Sequence, residues 1–259
     1  MPAYNASDYI GNAICSVQSQ TFTDYELIIV ENCSTDSGKT IEKIKEFSDI
    51  TLIQSPINLG CGGRNEGLKI ASGQYILFLD SDDAFYDNYV LENLNSVIEK
   101  NDFPDLIYMG FTMVGTRELT VLPTPENCNR DYRLATNKYT NVWSICWKNQ
   151  FLQDNHILFP ERVIYEDVPF TFLGISLAKT TAMANFIAYA YTSGRVGSNA
   201  TKNQFKQVYD TVKCIENLVN LKSQIKKEDF PSLQKRIDEQ KSRLSVRLDR
   251  VLQDQLTLE

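Results

Sequence analysis

Short apolar runs recur through the first two-fifths of the chain, and segments with helical periodicity separate them. The runs are Glu26–Val30 (ELIIV), Ile50–Ile53, Tyr75–Leu79 and Leu106–Phe111. A strand that is apolar on both faces must be covered on both faces. Helical connections between successive strands bring those strands together in parallel. The connections read as helices for specific reasons. Ser7 and Asp8 precede Ile10, Ile14 and Val17 at helical spacing. Asp36 opens a polar helix with Ile41, Ile44 and Phe47 on one face, and Leu91, Leu94 and Ile98 mark another. A Gly-rich turn, Gly60–Gly63, leads into a helix that ends at Ser72-Gly73. The expected fold class is α/β, with a mostly parallel central sheet flanked by helices. Right-handed crossovers collect the carboxyl ends of such strands on one edge, where ligands bind.

The third run ends abruptly in charge: Tyr75–Asp83 reads YILFLDSDD. Leu77 and Leu79 can stay in the sheet while Asp80, Asp82 and Asp83 emerge at its carboxyl end. Glu31 and Asn32 should emerge on the same edge. Carboxylates at i and i+2 can share one small volume, and hard oxygen ligands of this kind suit Mg²⁺ or Mn²⁺. Two carboxylates leave most of an octahedral shell to water and substrate phosphate. A solvated acidic turn is the bland alternative. Other motifs fail. GCGGRNEG (60–67) resembles a phosphate loop, yet Leu68 stands where Lys-Ser/Thr would follow. The single histidine, His156, lies in a loop-like DNHILFP context that suggests no Ser-His or Cys-His pair.

The net charge of −7 argues against broad nucleic-acid binding. No apolar run approaches the roughly 18 residues of a membrane span, and MPAYNASD has neither part of a signal peptide. Six scattered cysteines without a CxxC read as reduced thiols of a cytoplasmic protein, with peripheral contact at the inner face of a membrane left open. The segment from Gly115 to about Tyr139 is turn-rich. Val142–Leu152 and Asp167–Ala178 read as helices, and Ala182–Tyr191 as a strand or a buried helix. From Phe205 onward the chain is helical and polar, with a joint at Lys222–Pro231. Its last helix carries Leu233, Ile237, Leu244, Leu248 and Val251 on one stripe and Lys235, Arg236, Lys241, Arg243, Arg247 and Arg250 elsewhere. That helix would pack on the body, on a second copy or on a membrane surface. The expected organisation is residues 1–204 as one domain (1–110 nucleotide-binding half, 111–204 acceptor half), followed by a helical extension over 205–259.

Three stretches together resemble the family 2 inverting glycosyltransferases of the GT-A fold. They are PAYNASDYIGNAICSVQSQTFTDYELIIVENCSTD (2–36), NLGCGGRNEGLKIASGQYILFLDSDD (58–83) and VWSICWKNQFLQDNHILFPERVIYEDVPFTF (142–172). Within that family the chain is similar to bacterial enzymes of capsule, lipopolysaccharide and other surface glycans. The resemblance implies a UDP-sugar donor, a saccharide or lipid-linked saccharide acceptor, and Mn²⁺ or Mg²⁺. It also implies roles. Pro2, Ala3 and Tyr4 would line the base pocket, Glu31 would contact uracil, Arg64 would reach the base or the diphosphate, and Arg195 would lie near the diphosphate. Asp82 would be the metal ligand, with Asp80 on the metal, its water or the ribose, and Asp83 supporting that site or facing the sugar. Asp167, in Glu166-Asp167, would be the base. A helix N-terminus there would favour its ionised form, although a simple helix cap is the alternative. Trp143 and Trp147 would stack on an acceptor sugar or pack in the core. The chain departs from the family in opening at PAYN, where the family has a strand before it. It also has Glu31-Asn32 for the common Asp-Asp, and Ile145 for a common Lys. A sugar nucleotidyltransferase and a catalytically silent binding subunit are the competing expectations.

Overall fold

In the computed structural model, which describes residues 1–116, 118–136, 141–194 and 204–256, the strands form two sheets. The first holds β1 (Pro2–Ala3), β2 (Leu27–Glu31) and β3 (Ile50–Gln54), all parallel, in the order β1-β2-β3. The expected connections are present. Helix α1 (Ile10–Gln18) buries Ile10, Ala13, Ile14 and Val17, an i, i+3, i+4, i+7 stripe. Helix α2 (Lys39–Lys45) follows β2 and buries Thr40 and Ile44. Helix α3 (Arg64–Ile70) follows the Gly-rich turn.

The second sheet is mixed. Its order is β4 (Tyr75–Ile76), β8 (Ile145–Lys148), β6 (Leu106–Gly115), β9 (Thr181–Ser193) and β5 (Ala84–Phe85), with β7 (Leu119–Val121) folded back on β6. Strands β6 and β9 are parallel, while β4, β5, β7 and β8 pair antiparallel. Among the described residues, parallel pairing is thus confined to β1–β3 and to β6–β9. The segment Ala182–Tyr191 lies within β9. Helix α4 (Val90–Lys100) buries Val90, Leu91, Leu94 and Ile98. Helix α5 (Arg130–Thr136) lies in the turn-rich segment.

The expected helix over Val142–Leu152 does not form. Ile145–Lys148 is a strand, and only Asn149–Asp154 is helical (α6). Ile145, Cys146 and Trp147 are all buried, and their backbone pairs with β4 and β6. A helix would have turned part of that run to solvent. Trp147 is fully buried, and its indole N–H donates to the Val142 carbonyl (3.1 Å). A Cβ on Gly174 would overlap its ring. Trp147 is therefore a core residue and not an acceptor platform.

The Tyr75–Leu79 run also departs from expectation. Only Tyr75 and Ile76 enter a ladder. A cavity of about 600 Å³ separates Leu77, Phe78 and Leu79 from Ile28 and Val30 of β2. The Met1 α-amino group sits at its margin and donates to the Ile28 carbonyl (2.9 Å).

Helix α7 (Asp167–Leu177) is apolar on every side and buries Pro169 through Ser176. Helices α8 (Gln204–Asn220) and α9 (Phe230–Leu256) form a hairpin against it. Cys214, Leu218, Leu233 and Ile237 belong to the same buried core as the sheets. Of the stripe expected on α9, Leu233, Ile237 and Val251 are buried, while Leu248 is exposed. Among the described residues no helix is long and apolar enough to cross a membrane.

Candidate active site

The site is organised around Arg64, and the Gly-rich turn places it. Gly60 adopts φ +61°, a left-handed value that favours glycine. A Cβ on Gly62 would stand 2.7 Å from Glu161 Cα, so the turn needs glycine to pack on the segment leading to Asp167. Asn32, at the end of β2, braces the turn. Its Oδ1 accepts from Leu59 N (2.9 Å) and its Nδ2 donates to the Gly60 carbonyl (2.5 Å). The expected edge residue is present, but it holds backbone.

Arg64 is the first residue of α3 and only 6 % exposed. Its Nη2 donates to Asp80 Oδ1 (2.5 Å) and its Nη1 to Glu166 Oε1 (2.7 Å). Its guanidinium also lies 5.4 Å from the Phe159 ring centroid. One planar cation with two donor edges holds two carboxylates from distant parts of the chain, a task an ammonium would do poorly. Asp167 follows Glu166 and opens α7. The protein packed around its carboxyl raises its pKa. Arg64 pulls it down and Asp80 pushes it up, and the first backbone N–H groups of α7 favour its ionised form.

Asp83 sits in a different setting. It is buried, its Oδ2 accepts from the Tyr189 hydroxyl (2.7 Å) and its Oδ1 from Thr192 N (2.7 Å). Burial first, and then the charge of Asp80, push it up to about 8 despite those bonds. It carries a proton at pH 7. Tyr189 also accepts from Asp80 N (3.1 Å), so one hydroxyl joins both aspartates. Burial holds its phenol well above the ordinary range. Trp143, nearly buried, stacks on Tyr189 (4.4 Å, 15°) and on Tyr191 (5.4 Å), with Phe111 edge-on (5.0 Å). It braces Tyr189 from within the core.

Asp82 lies between these two carboxylates and is half-buried. Among the described residues no group of three His, Cys, Asp or Glu forms a ready cage for a metal ion. The donor set nevertheless fits a divalent ion that takes its other ligands from water and diphosphate. It is made of hard carboxylate oxygens, and burial, with the charge of Asp80, pushes one of them, Asp83, upward.

The expected base-pocket residues gather at the ends of β1 and β2, where Pro2 pairs with Val30 and Ala3 with Glu31. Ala3 is buried and Pro2 half-buried, while Tyr4 is exposed. Glu31 is buried, and its Oε1 accepts from Ser34 N (2.7 Å). Arg195 lies outside the described residues. Sequence reasoning missed Tyr189, whose strand it left ambiguous. It also missed a strap on the loop before Asp167. Arg247 of α9 donates to the Tyr165 hydroxyl (2.7 Å) and to Thr211 Oγ1, and its guanidinium lies 4.5 Å from the Tyr165 ring centroid. Asp210 of α8 accepts from Ile164 N (3.0 Å). No local pattern links residues 46 or 82 positions apart.

Residues 1–155 match the family described as Glycosyl transferase family 2. The chain is 31 % identical over 208 residues to the poly(ribitol-phosphate) beta-glucosyltransferase of Bacillus spizizenii, covering 77 % of this chain and 32 % of that protein. It is 39 % identical over 104 residues to WfgD of Escherichia coli, a UDP-Glc:alpha-D-GlcNAc-diphosphoundecaprenol beta-1,3-glucosyltransferase, covering 39 % and 40 % of the two. The chain thus spans about a third of the Bacillus relative's length. Among solved structures it resembles Staphylococcus aureus TarS 1–349, alone and with UDP-GlcNAc, each with TM-score 0.65 and 24 % identity. The match covers 85 % of this chain and 64 % of the TarS fragment. At that identity the likeness establishes the fold.

Proposed function

This chain belongs to glycosyltransferase family 2, and we propose that it transfers a sugar from a UDP-sugar to a hydroxyl of a bacterial surface glycan, with inversion and with a divalent metal ion. The observation that carries this reading is the Arg64 node. It gathers Asp80, from the DSDD turn, and Glu166, the residue before the candidate base, onto one buried guanidinium. Two curated relatives are named as beta-transferases, which accords with inversion. A related structure is described with UDP-GlcNAc, which accords with the donor.

In this reading the ends of β1 and β2, with Glu31 and Tyr4, receive the nucleotide base, and Arg64 faces the diphosphate side. Asp82 and Asp80 would hold Mn²⁺ or Mg²⁺, whose charge would offset that of the leaving diphosphate. Asp167 accepts the proton of the acceptor hydroxyl at its carboxylate as that oxygen attacks the anomeric carbon. Arg64 opposes the upward push of burial on Asp167, and Glu166 holds Arg64 in place. Asp83 is a neutral hydrogen-bonding support and not a ligand.

Calorimetric titration with UDP tests the donor side. The wild type should bind UDP more tightly with Mn²⁺ than without it, and Asp82→Ala should lose that difference. If the wild type bound no uridine nucleotide in either condition, the assignment would fail.

A further inference from the structure

We propose, resting on the transferase reading above, that Arg247 of α9 is a positioning residue for Asp167: it holds the loop before α7 in a strained backbone and so sets where that helix, and with it Asp167, begins. The loop departs twice from ordinary geometry. Arg162 adopts φ +62° and Tyr165 φ +72°. Bulky side chains rarely adopt such values, and strain of this kind persists only where the surroundings over-determine it. Tyr165 is also where α7 starts to form. Its carbonyl accepts from Val168 N (3.3 Å), which closes a turn around Asp167. Whatever fixes Tyr165 therefore fixes the residue two places on. Tyr165 and Arg247 both lie beyond residues 1–155, the stretch matched by the family.

The loop is clamped between two sets of contacts. In the first, Arg64 donates to Glu166 (2.7 Å), and the Leu59 carbonyl accepts from Arg162 N (2.8 Å). The α8–α9 hairpin supplies the second. Arg247 donates to the Tyr165 hydroxyl (2.7 Å) and lies 4.5 Å from the centroid of the same ring. One guanidinium that meets both the hydroxyl and the ring fixes a tyrosine more tightly than either contact alone. Asp210, fully buried on α8, accepts from Ile164 N (3.0 Å) and from Lys206 Nζ (2.8 Å), and Lys206 Nζ also donates to the Arg162 carbonyl (3.4 Å). Arg247 is itself held, because the buried Thr211 hydroxyl accepts from it and donates to the Gln207 carbonyl (2.6 Å). The hairpin does not need Arg247 to stay docked. Cys214, Leu218, Leu233 and Ile237 lie in the core, and Arg130 pairs with Asp229 (2.6 Å). The contacts of Arg247 therefore act on the loop and not on the attachment of the hairpin.

The test follows UDP release from UDP-glucose and UDP-GlcNAc with Mn²⁺, with water as the acceptor. The water oxygen would attack the anomeric carbon, one of its protons would pass to Asp167, and UDP would leave with the electron pair of the broken bond. Arg247→Ala should lower kcat by about tenfold or more, with donor KM and UDP affinity within about twofold of the wild type. Arg247→Lys should regain little, because an ammonium does not match both the hydroxyl and the ring. Tyr165→Phe keeps the ring contact and should lose less, and in the Arg247→Ala background it should add nothing further. Amide exchange over residues 164–168 should quicken in Arg247→Ala while β6 and β9 stay protected. A folded Arg247→Ala with the wild-type kcat, or with UDP affinity lost as far as kcat, would overturn the proposal and leave the transferase reading standing. Unchanged exchange over residues 164–168 would overturn it whichever donor is used. A wild type that bound no UDP would overturn both. Should Arg247→Ala fail to fold, Tyr165→Phe carries the same test, and an unchanged kcat there would overturn the proposal.

Discussion

Asp80 and Asp83 are three residues apart, yet their surroundings are opposite. Asp80 faces a buried guanidinium and stays half-accessible. Asp83 faces a phenol and a backbone amide, is buried, and is pushed up to about 8. One turn thus places one carboxyl on a guanidinium at the Arg64 node and a protonated one at the Tyr189 node. Carboxylates so close cannot all stay charged without compensation, and the packing decides which one yields. The acidic cluster is therefore a division of tasks and not a uniform patch.

The strongest way to break this contrast is to remove the cation. Arg64→Ala would leave Glu166 buried and unpaired by Arg64. Thermal unfolding should show a loss of about 3–5 kcal/mol, and Arg64→Lys should recover only part of it. Next come paired neutralisations of the aspartates. Asp80→Asn replaces the carboxyl that Arg64 holds and, on the proposed reading, should lower UDP-sugar turnover by about 10²-fold or more. Asp83→Asn replaces a carboxyl that already carries a proton and should change turnover far less. Equal losses would end the distinction. Tyr189→Phe deletes the hydroxyl shared by both nodes and should cost about 1–3 kcal/mol in stability. The smallest effect is a slope with pH in metal-free buffer. Asp83 has a raised folded-state pKa, so between about 4 and 8 the folded protein holds more protons than the unfolded chain. This group's contribution to stability is full below about 4 and lost as pH rises towards 8. Melting curves of Asp83→Asn should lack that part of the decline.

Much of this arrangement was legible in the sequence. The apolar runs and helical spacings located α1, α2, α4, β2, β3 and β6 within a few residues, because each signal is local. DSDD, Arg64 and Glu166-Asp167 stand out in the sequence itself, and the structure gathers Asp80, Arg64 and Glu166. What failed depended on partners. Val142–Leu152 reads as one helix, yet Ile145–Lys148 lies between β4 and β6, which makes it a strand. Tyr75–Leu79 reads as one strand, yet Leu77–Leu79 border a cavity and pair with no strand. Trp147 reads equally as a sugar platform or a core residue, and only its enclosure by Gly174 and Val142 decides for the core. Tyr189 and Arg247 carry no pattern of their own; their roles exist only once distant segments meet.

The central claim is that Asp167 removes the acceptor proton while a separate set of residues holds the donor. Its most direct test is Asp167→Asn, assayed for acceptor-dependent UDP release and, in parallel, for UDP binding with Mn²⁺. Release should fall by about 10²–10⁴-fold, while UDP affinity stays close to that of the wild type. Near-normal release by Asp167→Asn, with the protein folded, would contradict the account.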